Sequence, residues 1–486
     1  IKGLEPAAFW KHFYNLTRIP HESGNEAGVR KYVCEVAEKY GHEYMIDKIG
    51  NIVIKRKAAA GLENKPSVVL QGHMDMVCEK NRETVHDFGR DPIPLIVKDG
   101  WLMADGTTLG ADNGVAVAAG LALLETDLEL GPVEILLTVD EDTGLTGAKQ
   151  LDAAMVDSRI LINLDSEEDG VIYMGCAGGK NTDGYIPVEL ETRPDGYREF
   201  KVNVTGLKGG HSGGEIYLGL GNANVIGARF LWNAGRKFDT RLVSIDGGGK
   251  HNAIPREFFA ELLVKVSNAG DFLRYAEEYS EVIRNEYKLL EENLSFTVEP
   301  IITTDAVESG SDMVYSSDSQ QRILNLIYTL PHGVMKMSPV LDNLVETSTN
   351  FARAVLLESG EFFVQNCNRS SVDSECDDIA DRVKACISAA GGKSKFNQEY
   401  PGWAPNPDSA VLKTAQKAYL SLFGKGAEVK AIHAGLECGV IGKKFESMDM
   451  ISIGPELADV HTPGEKMHIE SVEKVWKFLV EILKLV

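Results

Sequence analysis

Three apolar segments in the first third of the chain each run directly into acidic or histidine residues. Residues 67–71, 133–139 and 159–164 have the length and composition of buried strands, and an Ala-rich helical pattern over 114–125 separates the first two. Strands that alternate with helices favour an α/β domain with a largely parallel sheet and helices on both faces. Since the carboxyl ends of parallel strands meet at one edge, the polar residues that follow these segments are predicted to lie together.

The sequence pattern changes near Tyr185, where alternating strand patterns separated by long helical patterns begin. The α/β pattern returns from about Trp403. We therefore predict a split catalytic domain of residues 1–184 and 400–486, with an inserted α+β lid domain over 185–399.

A strand–helix–strand order over residues 258–299 of the lid resembles the order over 361–398. This weak similarity leaves open whether the lid is internally duplicated.

Charge and composition exclude several functional classes. The 486 residues suffice for two or three domains with full cores. A net charge of −22 without clustered Lys or Arg argues against nucleic-acid binding, and no apolar run is long enough to span a bilayer. The N-terminal residues lack the pattern of a secretory signal, and seven scattered cysteines without a CxxC pair fit thiols in a reducing compartment. We therefore expect a cytoplasmic protein that binds neither nucleic acid nor membrane.

Five sequence motifs place metal-ligand side chains in loops. Each motif on its own could also be explained without a metal, as a capped loop, a helix N-cap or a solvated acidic turn. Together they supply two imidazoles and three carboxylates, which are ligand types for two zinc ions, and further carboxylates that could stay off the metals to act as a base. The motifs are His73-Met-Asp75, the Gly-flanked Asp112, the acidic run 140–142, the strand-end Asp165 and the loop residue His461.

Eight motifs occur in one collinear series that spans residues 73–465: HMDMV, LGADNG, DEDTG, NLDSEE, GLKGGHSGG, HNAIPRE, HAGLECG and HTPGE. In this series the sequence resembles the zinc metallopeptidase family that contains aminoacylases, glutamate carboxypeptidases, tripeptidases and carnosinases. Within that family it is most similar to the members that cleave Xaa-His dipeptides.

The resemblance implies two zinc ions per chain, with Co²⁺ or Mn²⁺ as alternatives. His73 and Asp165 resemble the ligands of one ion, Asp142 and His461 those of the other, and Asp112 the bridge between them. Family members commonly have Glu-Glu where this chain has Glu-Asp at 141–142. Aspartate is one methylene shorter than glutamate, so the resemblance does not determine the distance between position 142 and the metal.

Three further roles near the metals come from the resemblance. Glu141 resembles the general base, and Asp75 the residue that orients His73. The family also implies a cis peptide bond after Asp112.

Four residues are candidates for contacts with the substrate. By resemblance, His211 in the GGHSGG motif stabilises the tetrahedral oxyanion, and Asn252 contacts the substrate from the lid. Arg369 follows an apolar strand and could hold a C-terminal carboxylate through two parallel N–H donors, or it could form only a surface salt bridge. Glu437 could bind the substrate amine or serve as a structural acid.

We therefore predict metal-dependent hydrolysis of dipeptides, including Xaa-His and carnosine-like peptides, by a zinc-activated water. A tripeptidase, an aminopeptidase or an N-acyl-amino-acid deacylase of the same family is the nearest alternative. A binding protein that retains the fold without catalysis is another, although all ligand and base positions are filled. The expected partner is a small peptide. The resemblance slightly favours a homodimer and leaves the oligomeric state open.

Overall fold

Strands and helices alternate along residues 1–176 of the computed structural model, which describes residues 1–301 and 312–486. The strands of this segment are β1 (Glu43–Ile46), β2 (Ile52–Arg56), β3 (Val68–His73), β4 (Leu95–Lys98), β5 (Trp101–Ala104), β6 (Val133–Thr138), β7 (Ile160–Asn163) and β8 (Val171–Cys176). The helices are α1 (Ala7–Leu16), α2 (Ala27–Lys39), α3 (Ala111–Leu124) and α4 (Thr146–Gln150). Helix α3 thus begins three residues before the predicted helical pattern and includes Asp112.

The stretch between residues 177 and 402 is richer in long strands. Its strands are β9 (Gly178–Pro187), β10 (Leu190–Thr192), β11 (Tyr197–Thr205), β12 (Thr240–Gly248), β13 (Phe258–Lys265), β14 (Ser295–Pro300), β15 (Met313–Tyr315), β16 (Gly333–Met337), β17 (Val345–Leu356), β18 (Glu361–Ser370) and β19 (Lys393–Tyr400). Its helices are α5 (Ala223–Phe238), α6 (Ala269–Tyr287), α7 (Ser317–Thr329) and α8 (Asp373–Ala389).

Short strands and three helices complete the chain. The strands are β20 (Glu428–Ile432), β21 (Asp449–Ser452), β22 (Leu457–Ala458) and β23 (Lys466–His468). The helices are α9 (Ala410–Phe423), α10 (Glu437–Lys444) and α11 (Ile469–Leu485). Among the described residues, no helix is long and apolar enough to cross a membrane.

The chain divides into two units. The first contains residues 1–176, 403–432 and 436–486, and the second contains 177–402 together with 433–435. The first unit runs to Cys176, eight residues before the predicted boundary at 184, because β9 already pairs within the sheet of the second unit.

An eight-stranded sheet organises the first unit, in the order β1-β2-β6-β3-β7-β21-β8-β20. Four of its pairings are parallel: β3 with β6, β3 with β7, β7 with β21, and β8 with β20. The predicted α/β class is therefore confirmed. Because β6, β3 and β7 are parallel neighbours, their carboxyl ends at Thr138, His73 and Asn163 lie at one edge, as the apolar segments predicted.

The long sheet of the second unit repeats one topology. It runs in the order β14-β11-β13-β12-β17-β18-β9-β19, and all of these pairings are antiparallel. The first half follows the chain order β11, α5, β12, β13, α6, β14, and the second follows β9, α7, β17, β18, α8, β19. In each half the fourth strand lies beside the first, and the third strand separates the first from the second. This repetition supports an internal duplication of the unit.

Candidate metal centre

The ends of three strands, the start of helix α3 and one loop of the first unit bring five ionisable side chains together. His73 is the last residue of β3, Asp112 lies in the first turn of α3, and Asp165 follows β7. Asp142 follows β6, and His461 lies in the loop between β22 and β23. Residues from five separate segments thus converge at the sheet edge that the sequence pattern indicates.

The carboxylate of Asp112 divides its two oxygens between two histidines. Its Oδ1 lies 3.0 Å from Nε2 of His73, and Asp165 Oδ1 lies 3.5 Å from that same nitrogen. Its Oδ2 lies 2.8 Å from Nε2 of His461, which is also 3.1 Å from Asp142 Oδ1. The site therefore contains two three-ligand sets that share Asp112.

The ligand spacing within each set suits small divalent ions. Zinc binds imidazole nitrogen and carboxylate oxygen at about 2.0–2.1 Å, which places tetrahedral ligands about 3.3 Å apart. Ligand atoms of His73, Asp112 and Asp142 also lie within 4.8 Å of one another, which suits a metal ion. The shorter Asp142 still reaches the group, because its Oδ1 is as close to His461 as the ligands of the other set are to each other.

The charges of this cluster are unbalanced without a cation. Burial and the neighbouring Asp112 and Asp142 charges raise the pKa of Asp165 to about 7, against the opposing effect of His73. Hydrogen bonds to Asp112 and Asp142 raise the pKa of His461 to about 11. The buried Oδ2 of Asp142 has no hydrogen-bond partner. A divalent cation would balance the charge of these carboxylates and would displace the protons favoured on Asp165 and His461, which fits the donor set of a metal site.

The second ring nitrogen of His73 is held by Asp75. The Nδ1 atom lies 3.2 Å from Asp75 Oδ1 and 3.1 Å from the Asp75 carbonyl oxygen, which leaves Nε2 as the lone-pair nitrogen facing Asp112. Ser23 and the backbone N–H groups of Glu141 and Asp142 donate to the Asp75 carboxylate. Burial alone would raise the pKa of Asp75, but the His73 hydrogen bond and charge hold it at about 2.

Glu141 and Glu437 share the electrostatic environment of this cluster. Burial raises the pKa of Glu141 well above its usual range, and the charges of Asp165, Glu437 and Asp142 add to that rise while His73 opposes it. Glu437 is fully buried at the start of α10, where its Oε2 accepts hydrogen bonds from Gln71 and Thr138. Its Oε1 is buried without a hydrogen-bond partner.

Sequence reasoning missed two residues that connect the ligand segments. Asn113 accepts from the N–H of His73 at 3.2 Å and donates to the carbonyl of Leu164 at 2.8 Å, so it joins the ends of β3 and β7 to α3. Glu465 accepts from four backbone N–H groups around Asp112. Both residues stand inside the quoted motifs LGADNG and HTPGE, which was the available signal. The peptide bond between Asp112 and Asn113 is cis, as the resemblance implies.

Gly72 shows how closely these segments approach. A Cβ atom at this position would lie 2.2 Å from both Asn113 Oδ1 and Ala116 Cβ. Only glycine therefore permits the end of β3 to pack against α3.

The second unit brings together the predicted residues His211, Asn252 and Arg369. The N–H of Ser212, next to His211, donates to the carbonyl of Asn252 at 2.9 Å. A Cβ atom at Gly213 would lie 3.1 Å from Arg369 Nε, so the GGHSGG loop packs directly against the guanidinium group. These three residues belong to the second unit, and the metal-ligand candidates belong to the first.

Arg369 is buried, which excludes the alternative of a surface salt bridge. Its side chain is 5% exposed, its Nη1 donates to the Tyr400 hydroxyl at 2.8 Å, and its Nε has no hydrogen-bond partner. Glu375, a nearby acid in the sequence, pairs instead with Lys336. A buried guanidinium with an unused donor is suited to an anionic ligand.

The imidazole of His211 is neutral and has a defined tautomer. Burial, and then the Arg369 charge, lower the pKa of His211 to about 4. Its Nδ1 accepts from the N–H of Gly214 at 3.0 Å, so the ring proton resides on Nε2.

The chain is similar to known proteins over nearly its whole length. The profile of peptidase family M20/M25/M40 matches residues 69–485. The chain is 40% identical to the cytosol non-specific dipeptidase of Escherichia coli (strain K12), over 100% of this chain and 98% of that protein. The solved structure of aminoacylhistidine dipeptidase from Vibrio alginolyticus superposes with a TM-score of 0.91 at 37% identity, covering 100% of this chain and 97% of that one. A tripeptidase from Staphylococcus aureus shares the fold, with a TM-score of 0.55 at 18% identity over 99% of this chain and 98% of that one.

Proposed function

Since the chain belongs to peptidase family M20/M25/M40, we propose that it is a cytoplasmic dipeptidase that works with two zinc ions in its first unit. The observation that carries this proposal is the division of the Asp112 oxygens between two ligand sets, 3.0 Å from His73 and 2.8 Å from His461. His73 and Asp165 would hold one ion and Asp142 and His461 the other, with Asp112 between them.

Bound divalent ions would polarise the scissile carbonyl and lower the pKa of the attacking water. The chain's own residues then move the proton. Glu141 accepts a proton from the water as general base and donates it to the leaving amine as general acid. Its carboxyl group is not part of either ligand set, and its burial among other acids favours uptake of a proton. Asp75 holds His73 in the tautomer that can coordinate.

His211 is suited to stabilise the oxyanion that forms when the carbonyl is attacked. Its Nε2 carries the proton, because Nδ1 is engaged by Gly214. A neutral N–H donor stabilises developing negative charge without the need to lose a proton. We propose that His211 and Asn252, which belong to the part of the chain predicted as a lid over 185–399, contact the substrate.

Two buried groups with unused hydrogen-bonding atoms suit the charged ends of a dipeptide. Arg369 retains a free Nε donor for a C-terminal carboxylate, and Glu437 retains a free Oε1 acceptor for an N-terminal ammonium. Recognition of both charged termini by such groups would select peptides that have a free amine and a free carboxylate. This favours a dipeptidase over an N-acyl-amino-acid deacylase, whose substrates have no free amine.

Two relatives that match the full chain support a broad substrate range. One is described as a non-specific dipeptidase and the other as an aminoacylhistidine dipeptidase. We propose broad dipeptidase activity that includes Xaa-His and carnosine-like peptides. Binding of both termini would explain such breadth, because neither contact depends on the side chains.

A substrate panel with defined metals tests the proposed function. The zinc-loaded protein is expected to hydrolyse Ala-His and Gly-Leu, and to be far less active on Ala-Ala-His and N-acetyl-Ala-His. Chelation followed by buffer exchange should abolish activity, and zinc, Co²⁺ or Mn²⁺ should restore it. Release of acetate from N-acetyl-Ala-His, at a rate equal to cleavage of the free dipeptide, would instead indicate a deacylase. Full activity of metal-free protein would contradict the metal-dependent account.

Substitution of Glu141 tests its role as the base. Glu141→Gln should preserve the fold and the metal content but lower kcat by about 10²- to 10⁴-fold, because the amide cannot accept the proton. The adjacent Asp140→Asn is the matched control and should retain activity. Steady-state kinetics and metal analysis by mass spectrometry provide both readouts. A loss in kcat within about tenfold, or roughly 1.4 kcal/mol of barrier, would rule Glu141 out as the base.

Substitution of Arg369 tests recognition of the C-terminal carboxylate. Arg369→Ala should lower kcat/KM for a free dipeptide at least about tenfold more than for its C-terminal amide, a difference of roughly 1.4 kcal/mol. Arg369→Lys keeps the charge but loses the planar fork, so it should also impair the free dipeptide. Arg241→Lys, in β12 of the same sheet, is the control. Equal losses for acid and amide would mean that Arg369 does not bind the carboxylate.

A further inference from the structure

A single buried carboxylate holds the backbone that leads into Asp112. Glu465 Oε2 accepts from the N–H groups of Leu109 at 2.7 Å and Gly110 at 3.2 Å. Its Oε1 accepts from Ala111 at 2.8 Å and from Asp112 at 3.3 Å. The Glu465 side chain is 2% exposed, so water competes little for these four N–H groups.

The same short loop reaches Asp112 a second time. His461 lies four residues before Glu465, and its Nε2 is 2.8 Å from the Asp112 carboxylate. The N–H of Glu465 donates to the carbonyl of Thr462, and the N–H of Thr462 donates to that of Asp459, so the intervening chain forms tight turns. The loop over 459–465 thus contacts both the backbone and the side chain of Asp112.

The chemistry of these contacts requires a carboxylate. Four consecutive N–H groups present only donors, and an ionised carboxylate presents only acceptors. A glutamine at this position would direct its own N–H₂ group at two of the four donors.

We propose that Glu465 is a positioning residue for the metal centre, which fixes Asp112 and His461 relative to each other before metal binds. This inference rests on the proposed two-metal function. Glu465 does not belong to either ligand set, and it acts through the backbone of Asp112. In its absence the protein must order this segment during metal binding, so metal affinity falls.

Glu134 is a matched control for a purely structural role. It is also a buried glutamate of the first unit, and its carboxylate accepts from the backbone N–H groups of Asp157 at 3.1 Å and Ser158 at 2.9 Å. The segment it holds contains none of the proposed ligands. Loss of its carboxylate should therefore lower stability without a specific effect on metal.

The experiment compares Glu465→Gln, Glu465→Asp and Glu134→Gln with the wild-type protein. Zinc affinity is measured by competition with a chromophoric chelator, and the thermal midpoint of the metal-free protein reports stability. The d–d absorption spectrum of the Co²⁺-loaded protein reports ligand geometry. Hydrogen exchange of amides 109–112 is followed in the metal-free wild-type protein, a measurement that does not depend on whether any variant folds.

Glu465→Gln should weaken zinc binding by about 10- to 100-fold and change the Co²⁺ spectrum, as is typical when a partner of a ligand is lost. Glu465→Asp, which keeps a carboxylate, should recover part of the affinity. Glu134→Gln should leave both metal readouts unchanged even where its thermal midpoint falls. The amides of residues 109–112 should be protected in the metal-free wild-type protein.

Unchanged zinc affinity in Glu465→Gln, or unprotected amides at 109–112, would overturn this inference while wild-type metal binding still supports the proposed function. An equal loss of zinc affinity in Glu134→Gln would also overturn this inference, because it would show that Glu465 has only a structural role. Failure of the wild-type protein to bind zinc would overturn the proposed function itself.

Discussion

The two oxygens of Asp112 face two different histidines. The fold of the first unit places both histidines beside this carboxylate. His73 approaches Oδ1 from the end of β3, and His461 approaches Oδ2 from a loop near the C-terminus. A carboxylate can bridge two metal ions by binding one ion through each oxygen, and here each oxygen faces a separate ligand set. The parallel neighbours β6, β3 and β7 provide one edge for these partners, and Asn113 joins two of the strand ends to α3.

This arrangement concentrates buried acidic groups around the candidate metal ligands. Asp165 and Glu437 each have a pKa raised to about 7, in both cases first by burial and in part by neighbouring acids. Such groups are protonated more readily than ordinary carboxyls, and a nearby divalent cation would favour their ionised form. The second unit has the opposite character at its predicted substrate residues, where burial and then the charge of Arg369 lower the pKa of His211. The first unit therefore concentrates buried acids near its candidate metal ligands, whereas the second unit contains a buried guanidinium group.

Much of this organisation can be predicted from the sequence, because it depends on where the apolar strands end and on the order of the motifs. The apolar segments before His73, Glu141 and Asp165 indicated the sheet edge, and the collinear motifs indicated the family. Other features arise from contacts between distant segments, which no local pattern encodes. The backbone contacts of Glu465, the hydroxyl of Tyr400 on Arg369 and the inclusion of 433–435 in the second unit are of this kind. The predicted boundary at 184 fell inside β9, whose early residues are too polar and glycine-rich to read as a strand.

The central claim is that Asp112 bridges two metal ions, and anomalous diffraction from crystals of the zinc-loaded protein tests it most directly. Data collected above and below the zinc absorption edge locate the ions independently of any activity assay. The account predicts two anomalous peaks about 3.5–4 Å apart, one beside His73 and Asp165 and the other beside Asp142 and His461. A single peak, or two peaks of which only one contacts Asp112, would contradict it.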